Sequence, residues 1–334
     1  MKTNQISIPL MIKRFFSEYL PLQRGCSPHT SSSYAESFSL FLKYLQRRTK
    51  KRPESITIDE LSSENVLGFL KYLQTERGNS DQTRNARLAA IHSFIKFLLI
   101  EKPALAGHVQ GALSIPTKKT KRKVLDYLSE KEVEAILDAT DTQKWCGKRD
   151  RALFTLMYNT GARVSEIVEL KVSNVQIEAK SGVIRFWGKG RKERMLPLWK
   201  STIQILRQWI NSNRYDGNTP LFPNNRGGKM TRSAVTKRLD DLAKKAEVKC
   251  PSLKKQKVSP HIIRHSTAMH LLQSGVDITG IAQWLGHESI ETTHIYIASD
   301  MKMKEKALGA LHDPKLGIQR FQPKGSLLEF LENV

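Results

Sequence analysis

Apolar residues recur at helical spacing along most of this 334-residue chain, and the period changes in one place, between Gly182 and Leu198. There Gly182 to Trp187 and Glu193 to Leu198 read as two strands, and Gly188-Lys189-Gly190-Arg191 supplies the turn that joins them. One hairpin set among helices gives the expected class: mainly α with a small β-sheet (α+β).

The first third is helical. Ile12, Phe15, Phe16 and Tyr19 fall on one stripe of a helix over about 8–20. Ser27-Pro28 opens a second helix, running to about Arg47, with Tyr34, Phe38, Phe41, Leu42 and Leu45 on one stripe. A third begins at Ser62 or Ser63, carries Leu67, Phe69, Leu70 and Leu73, and stops at Gly78-Asn79. Ser80 caps a fourth that bears Leu88, Ile91, Phe94, Ile95 and Leu98. These four amphipathic helices make a small bundle over 1–111.

Residues 112–124 break the pattern. After Pro116 comes Lys118-Lys119-Thr120-Lys121-Arg122-Lys123, five cations in six residues. Such a run is either an ordinary solvated linker, the default from this segment alone, or a tether laid along phosphates. The bulk charge bears on that choice. Lys plus Arg outnumber Asp plus Glu by 55 to 32, a formal +23, and an excess of that size favours a polyanionic partner, nucleic acid above all. An apolar fraction of 39% is enough for a real core and excludes a disordered chain. Cys26, Cys146 and Cys250 are far apart and form no CxxC pair, so neither a zinc finger nor a disulfide framework is supported. Reduced thiols, the lack of an apolar signal-peptide segment over Met1 to Pro9, and the lack of any apolar run near the ~18 residues of a membrane span point to a cytoplasmic protein with no membrane partner.

From Leu125 onward four local patterns carry chemistry. In Thr160-Gly161-Ala162-Arg163-Val164-Ser165-Glu166, Gly161 can end one helix and Ser165 can cap the next, leaving Arg163 on a tight turn. In His261-Ile262-Ile263-Arg264-His265, Ser259-Pro260 starts a helix whose first turn holds His261 and Arg264 on one face, where backbone N–H groups favour an anion. His261, His265 and His270 do not all keep one face and no carboxylate joins them, so His265 and His270 read as packing or supporting residues rather than metal ligands. In Leu285-Gly286-His287, Gly286 ends a helix, His287 sits on the turn, and Thr292 or Thr293 caps the helix bearing Tyr296. The fourth is Lys189 at the hairpin tip. Singly, each has a bland reading: a surface arginine, a solvated lysine, a core tyrosine.

Together and in this order they resemble the tyrosine recombinase family, the phage-integrase and Xer-like enzymes. The family pattern is matched by Arg163, Lys189, His261-x-x-Arg264, His287 and Tyr296, with Glu166 at an acidic position that the family often carries. The resemblance implies a helical core-binding (SAM-like) DNA-binding domain over 1–111, a basic linker over 112–124, a catalytic domain over 125–313 and a C-terminal tail over 314–334. It implies a site-specific recombinase that cuts and rejoins double-stranded DNA through a 3′-phosphotyrosyl bond to Tyr296, with no metal, ATP or other cofactor, as a tetramer on synapsed sites, formed by this chain alone or together with related recombinases. It serves, on this reading, the integration, excision or transposition of a mobile element.

The residue types suit phosphoryl transfer. Arg163 and Arg264 can fork onto the non-bridging oxygens in place of a metal. A phenol with a pKa near ~10 needs that cationic site and a proton acceptor, for which His261 is the candidate. Lys189 is the candidate acid for the leaving 5′-oxygen, and His287 would support the transition state. Candidate DNA contacts are Thr83, Arg84 and Arg87 on the fourth helix, Lys118, Lys119, Lys121, Arg122 and Lys123 in the linker, and Arg232 and Lys237 on a later helix. In the tail, Leu327, Leu328, Phe330 and Leu331 make a short apolar helix that docks either on a neighbouring protomer or on its own domain. Two rivals stand beside the recombinase: a type IB topoisomerase, and a non-catalytic DNA-binding accessory protein.

Overall fold

The computed structural model describes residues 7–120, 126–179, 181–187, 193–213 and 215–287, with Ser289, Thr292, Thr293 and Tyr296. Lys189, the linker cations Lys121, Arg122 and Lys123, and the tail helix lie outside the described residues. The chain divides into two compact units, Met1–Arg122 and Lys123–Val334.

In the first unit, α1 (Ile8–Arg14) is capped by Ser7 and runs on into a π-helical stretch, Phe15–Gln23. Pro21 lies inside that stretch; proline has no N–H for the ladder and its ring crowds the carbonyl one turn back, which favours a wider turn. In α2 (Pro28–Thr49), Ser27 Oγ accepts the Thr30 N–H at 3.2 Å and Pro28 takes the first turn. α3 (Ser63–Thr75) takes Ser62 as its cap, and α4 (Asp81–Glu101) takes Ser80. The four expected helices are present, and α5 (Ala106–Leu113) follows them, burying Val109 and Ala112. Two glycines and small buried residues give α5 no apolar stripe to read, which is why the sequence pattern ended before it.

Aromatic rings fill the core of this unit. Phe94 meets Phe15 at 5.3 Å and Phe38 at 5.2 Å between centroids, both edge-on, the arrangement the ring quadrupoles favour. The start of the linker is fastened to α4. Arg84 Nη1 donates to Pro116 O at 3.0 Å, and the Asn85 side chain pairs with both backbone groups of Lys118, at 2.8 and 3.0 Å.

The second unit is built around α7 (Trp145–Thr160), which is buried along most of its length. Before it comes α6 (Glu130–Asp138), whose Ser129 and Glu132 cap one another. After it comes the short α8 (Val164–Glu169). The strands β1 (Val175–Ile177), β2 (Gly182–Trp187) and β3 (Glu193–Pro197) form one antiparallel sheet in the order β1-β2-β3. β1, three residues long, is too short to announce itself by alternation. Ile184 and Phe186 point into the core, and the register sets Phe186 opposite Arg194. The remaining helices are α9 (Lys200–Asn213), α10 (Arg232–Ala246), α11 (Pro260–Gln273) and α12 (Ile278–Leu285). Beneath α10, the fully buried Asp150 accepts from Arg149 Nη2 at 2.8 Å and from Arg238 Nε at 2.7 Å.

Candidate active site

Two helix ends organise the site. α7 stops at Gly161, in the left-handed region at φ 59°, where a Cβ would fall 2.5 Å from a methyl of Leu285. α12 stops at Gly286, also left-handed at φ 65°. The turn after Gly161 places Arg163, not Ser165, at the cap of α8: the backbone there is extended, and the Glu166 carboxylate reaches back to the Arg163 N–H at 2.8 Å. The first-turn carboxylate thus does the capping expected of the serine hydroxyl.

Each arginine is anchored on carbonyls at these ends. Arg163 Nη2 donates to Gly286 O at 3.2 Å. Arg264, 3% exposed, donates to Gly161 O at 2.7 Å and to Leu285 O at 2.8 Å. Burial, and then the charge of Arg163, push the Arg264 guanidinium down to about 10. Glu166 accepts from Arg163 Nη1 at 3.1 Å and takes a two-pronged grip from Arg194, at 2.9 and 2.8 Å. Burial pushes the Glu166 carboxyl up, but the hydrogen bonds and charges of Arg194 and Arg163 outweigh it and hold the group below its ordinary value.

Arg163 lines two cavities. One, of about 820 Å³, is also lined by Glu166, Trp187, Arg194, Gly286 and His287. The other, of about 360 Å³, is lined by Thr236, Ser259, His261 and Arg264 as well. His261 is exposed on one side; desolvation on the other, with the charges of Arg264 and Arg163, lowers its pKa.

Tyr296 lies 1% exposed among Ala268, Met269, Leu272, Ile281 and Leu285. Its hydroxyl pairs with Nδ1 of His265 at 3.0 Å, and the two rings meet nearly edge-on at 5.6 Å. The His287 ring lies 6.4 Å away and almost parallel, its Nδ1 paired with Thr293 Oγ1 at 2.7 Å. Burial raises the Tyr296 phenol, while Arg264 and Arg163 pull it the other way. His265 and His287 are pushed down to about 4, by burial first and neighbouring cations and histidines second. Both are therefore neutral hydrogen-bonding groups at neutral pH.

The sequence-derived set is thus partly reunited. Arg163, Glu166, His261, Arg264, His287 and Tyr296 gather around the two helix ends; Lys189 is outside the described residues. Sequence reasoning passed over Arg194, and its reading of His265 as a packing or supporting residue agrees with the contact His265 makes to the Tyr296 hydroxyl. The one signal for His265 was its place a helical turn beyond His261. His270 pairs instead with Tyr158, whose phenol burial pushes up to about 12.

The candidate DNA contacts divide. Arg84 is 5% exposed and committed to Pro116 O, so its guanidinium is turned inward, while the half-buried Arg87 pairs with Ser33 O, Ser37 and the exposed Glu36. The buried stripe of α4 claims Arg84. Thr83 Oγ1 pairs with Ser80 Oγ at 3.1 Å. Lys118 reaches Gln74 at 2.8 Å, while Lys119, Arg232 and Lys237 are exposed. Among the described residues, no group of three or more His, Cys, Asp or Glu side chains is placed to hold a metal ion.

Residues 126–303 match the phage integrase family, and residues 12–102 match the phage integrase N-terminal SAM-like domain. An integrase/recombinase of Sinorhizobium fredii, y4rC, is 38% identical over 332 residues, 99% of this chain and 100% of that protein. Tyrosine recombinase XerD of Oceanobacillus iheyensis is 33% identical over 290 residues, 84% of this chain and 91% of that protein. Among solved structures, the Tn1549 transposon integrase in complex with transposon right end DNA shares the fold, with a TM-score of 0.67 at 15% identity over 91% of this chain and 99% of that one.

Proposed function

This chain belongs to the phage integrase family and is a tyrosine-type site-specific DNA recombinase, and from that premise we propose how its own residues carry the reaction. A scissile phosphate sits between Arg163 and Arg264, which fork onto its non-bridging oxygens and neutralise the charge that builds in the transition state. Tyr296 Oη attacks phosphorus. The new O–P bond forms as the bond to the 5′-oxygen breaks, leaving a 3′-phosphotyrosine. The phenol proton passes to His261, the 5′-oxygen takes one from Lys189, and His287 donates to the phosphate. Attack on the phosphotyrosine by the 5′-hydroxyl of another strand reverses each step, so no ATP is needed.

With 1% of its surface exposed, Tyr296 reaches no phosphate where it lies. Attack requires the phenol to leave His265 and swing toward the cavity that His261 and Arg264 line. Exchange between two duplexes requires one tyrosine per cut strand, which supports a homotetramer on paired sites. Unit 1, with the linker and the exposed Arg232 and Lys237 of α10, would hold the duplex. Full-length similarity to an integrase/recombinase supports a role in moving an element into or out of DNA.

The observation that carries the reading is that Arg163 and Arg264, remote in sequence, are both anchored on the carbonyls that end α12, beside Tyr296. The test is a nicked suicide substrate. Wild-type protein should form a denaturation-resistant covalent adduct in the presence of EDTA, and Tyr296→Phe should bind the DNA equally well and form none. An adduct with the Phe variant, or a strict Mg²⁺ requirement for cleavage, would overturn it.

A further inference from the structure

The reaction above assigns Arg194 no part, yet its contacts are among the most specific in the second unit. Its guanidinium meets the Glu166 carboxylate in the parallel, two-bond geometry that is the strongest form of this pairing. Its side chain is 13% exposed and that of Glu166 is 8% exposed. Two further contacts fix the plane of the guanidinium. It stacks over its cross-strand neighbour Phe186, with Cζ 4.8 Å from the ring centroid. Its flat face lies against Gly286, where a Cβ would come 2.9 Å from Nη1. Gly286 in turn holds Arg163 through its carbonyl.

Glu166 is shared. Oε1 accepts from both Arg194 Nη1 and Arg163 Nη1, and Oε2 accepts from Arg194 Nη2 and the Arg163 backbone N–H. Charge counting makes the consequence plain. Two guanidiniums on one carboxylate leave one positive charge uncompensated. Arg194 also borders the cavity, but it is held against Phe186 and Gly286 and its side chain is 13% exposed against 39% for Arg163, so the surplus is presented mainly by Arg163. Without Arg194, a buried carboxylate would have Arg163 as its one cationic partner among these contacts, and the pair would be neutral.

We propose that Arg194 is a positioning residue for DNA cleavage: by occupying Glu166 from β3 it keeps Arg163 oriented and positively charged toward the scissile phosphate. It never touches that phosphate. Because β3 begins four residues after Lys189 in the chain, the same contact ties the strand that follows the candidate acid in sequence to the arginine clamp. The inference rests on reading Arg163 as a phosphate ligand.

The experiment is single-turnover cleavage by the full-length protein of a nicked suicide substrate, made with a phosphodiester or with an uncharged methylphosphonate at the scissile position. Wild-type adduct formation, and its loss in Tyr296→Phe, tests the underlying reading separately. Arg194→Met should cleave the phosphodiester roughly 10–100-fold more slowly, the order typical when the partner that orients an active-site ligand is removed. Single-protomer DNA affinity should stay near wild type. Arg194→Lys, which keeps the charge and loses the fork, should fall between the two. On the methylphosphonate, where there is less charge to neutralise, the deficit of Arg194→Met should shrink. Adding Glu166→Gln to Arg194→Met should recover part of the lost rate, because no carboxylate remains to neutralise Arg163. A purely structural role predicts the same deficit on both substrates and no recovery in the double variant; either result overturns the proposal, as does wild-type cleavage by Arg194→Met. Should Arg194→Met fail to fold, the double variant decides alone: a phosphodiester rate within about tenfold of wild type supports the proposal, and a loss beyond about a hundredfold overturns it.

Discussion

The two units spend their interiors differently. The first packs phenylalanine rings edge to face around Phe94, and its buried charges, Arg84 and Glu60, fasten local chain: Arg84 the start of the linker, Glu60 a short turn at Thr57. The second buries connected charge: Asp150 between Arg149 and Arg238, Glu166 between Arg163 and Arg194, and Arg264 against backbone carbonyls. Taking charge out of water is costly unless each group is met by a partner. A unit assigned no part in the chemistry has no reason to carry such networks; one that must clamp a scissile phosphate does.

The contrast can be broken or sharpened in four ways. The largest effect should come from Arg264→Lys, which keeps a charge and loses two carbonyl anchors. Cleavage should fall on the order of 10²–10³-fold, the loss seen when one preorganised transition-state donor is removed, while DNA binding persists. Full activity in single-turnover assays would show that the buried charge is structural.

Next come paired core variants. Phe94→Ala should destabilise the first unit by about 3–5 kcal/mol through the cavity it leaves, with the cleavage rate per bound molecule unchanged. Asp150→Asn should destabilise the second by about 3–5 kcal/mol for a different reason, the buried Arg149 left without its counter-charge. Hydrogen exchange resolved by unit distinguishes them, and a loss that crosses from one unit to the other would blur the comparison.

Acid should act on the second unit first. His265 and His287 sit at about 4 when folded, against about 6.5 for a free imidazole, so the unfolded chain binds these protons more readily. Their contribution to stability is complete above pH ~6.5 and is lost as pH falls toward ~4. His92 in the first unit is lowered in the same direction by burial, so that unit should follow with the weaker slope. Exchange measured at pH 7 and pH 5 reads both, and a first unit that opens earlier would reverse the assignment. The smallest effect belongs to a surface pair: Glu64→Ala, which removes the exposed partner of Arg48, should change stability by under ~1 kcal/mol in thermal unfolding.

What the sequence made legible follows the same division. Local signals were enough wherever a residue's role is settled within a turn of chain. Ser27, Ser80 and Ser259 cap helices, Gly161 and Gly286 end them, and the ordered set from Arg163 to Tyr296 sits on those punctuation marks. Roles settled across the fold were not visible. Arg194 acquires its partner from α8 and its stacking surface from strand register, and the hydroxyl that meets His265 comes from a later segment. Arg84 shows a related effect: a basic residue on an amphipathic helix reads as exposed until the neighbouring segment that hides it is known.

Gly161 and Gly286 have one more consequence, for how this site can drift. The groups that hold Arg163 and Arg264 apart and aimed are largely main-chain oxygens, and no codon specifies an oxygen of the backbone. Ordinary substitutions around the clamp leave those acceptors in place. Replacing either glycine forces a left-handed conformation on a residue with a Cβ and drives that carbon into Leu285 or Arg194. The sequence tolerance of the site should therefore be steeply uneven: broad along the surrounding helices, and close to nil at two residues that have no side chain at all.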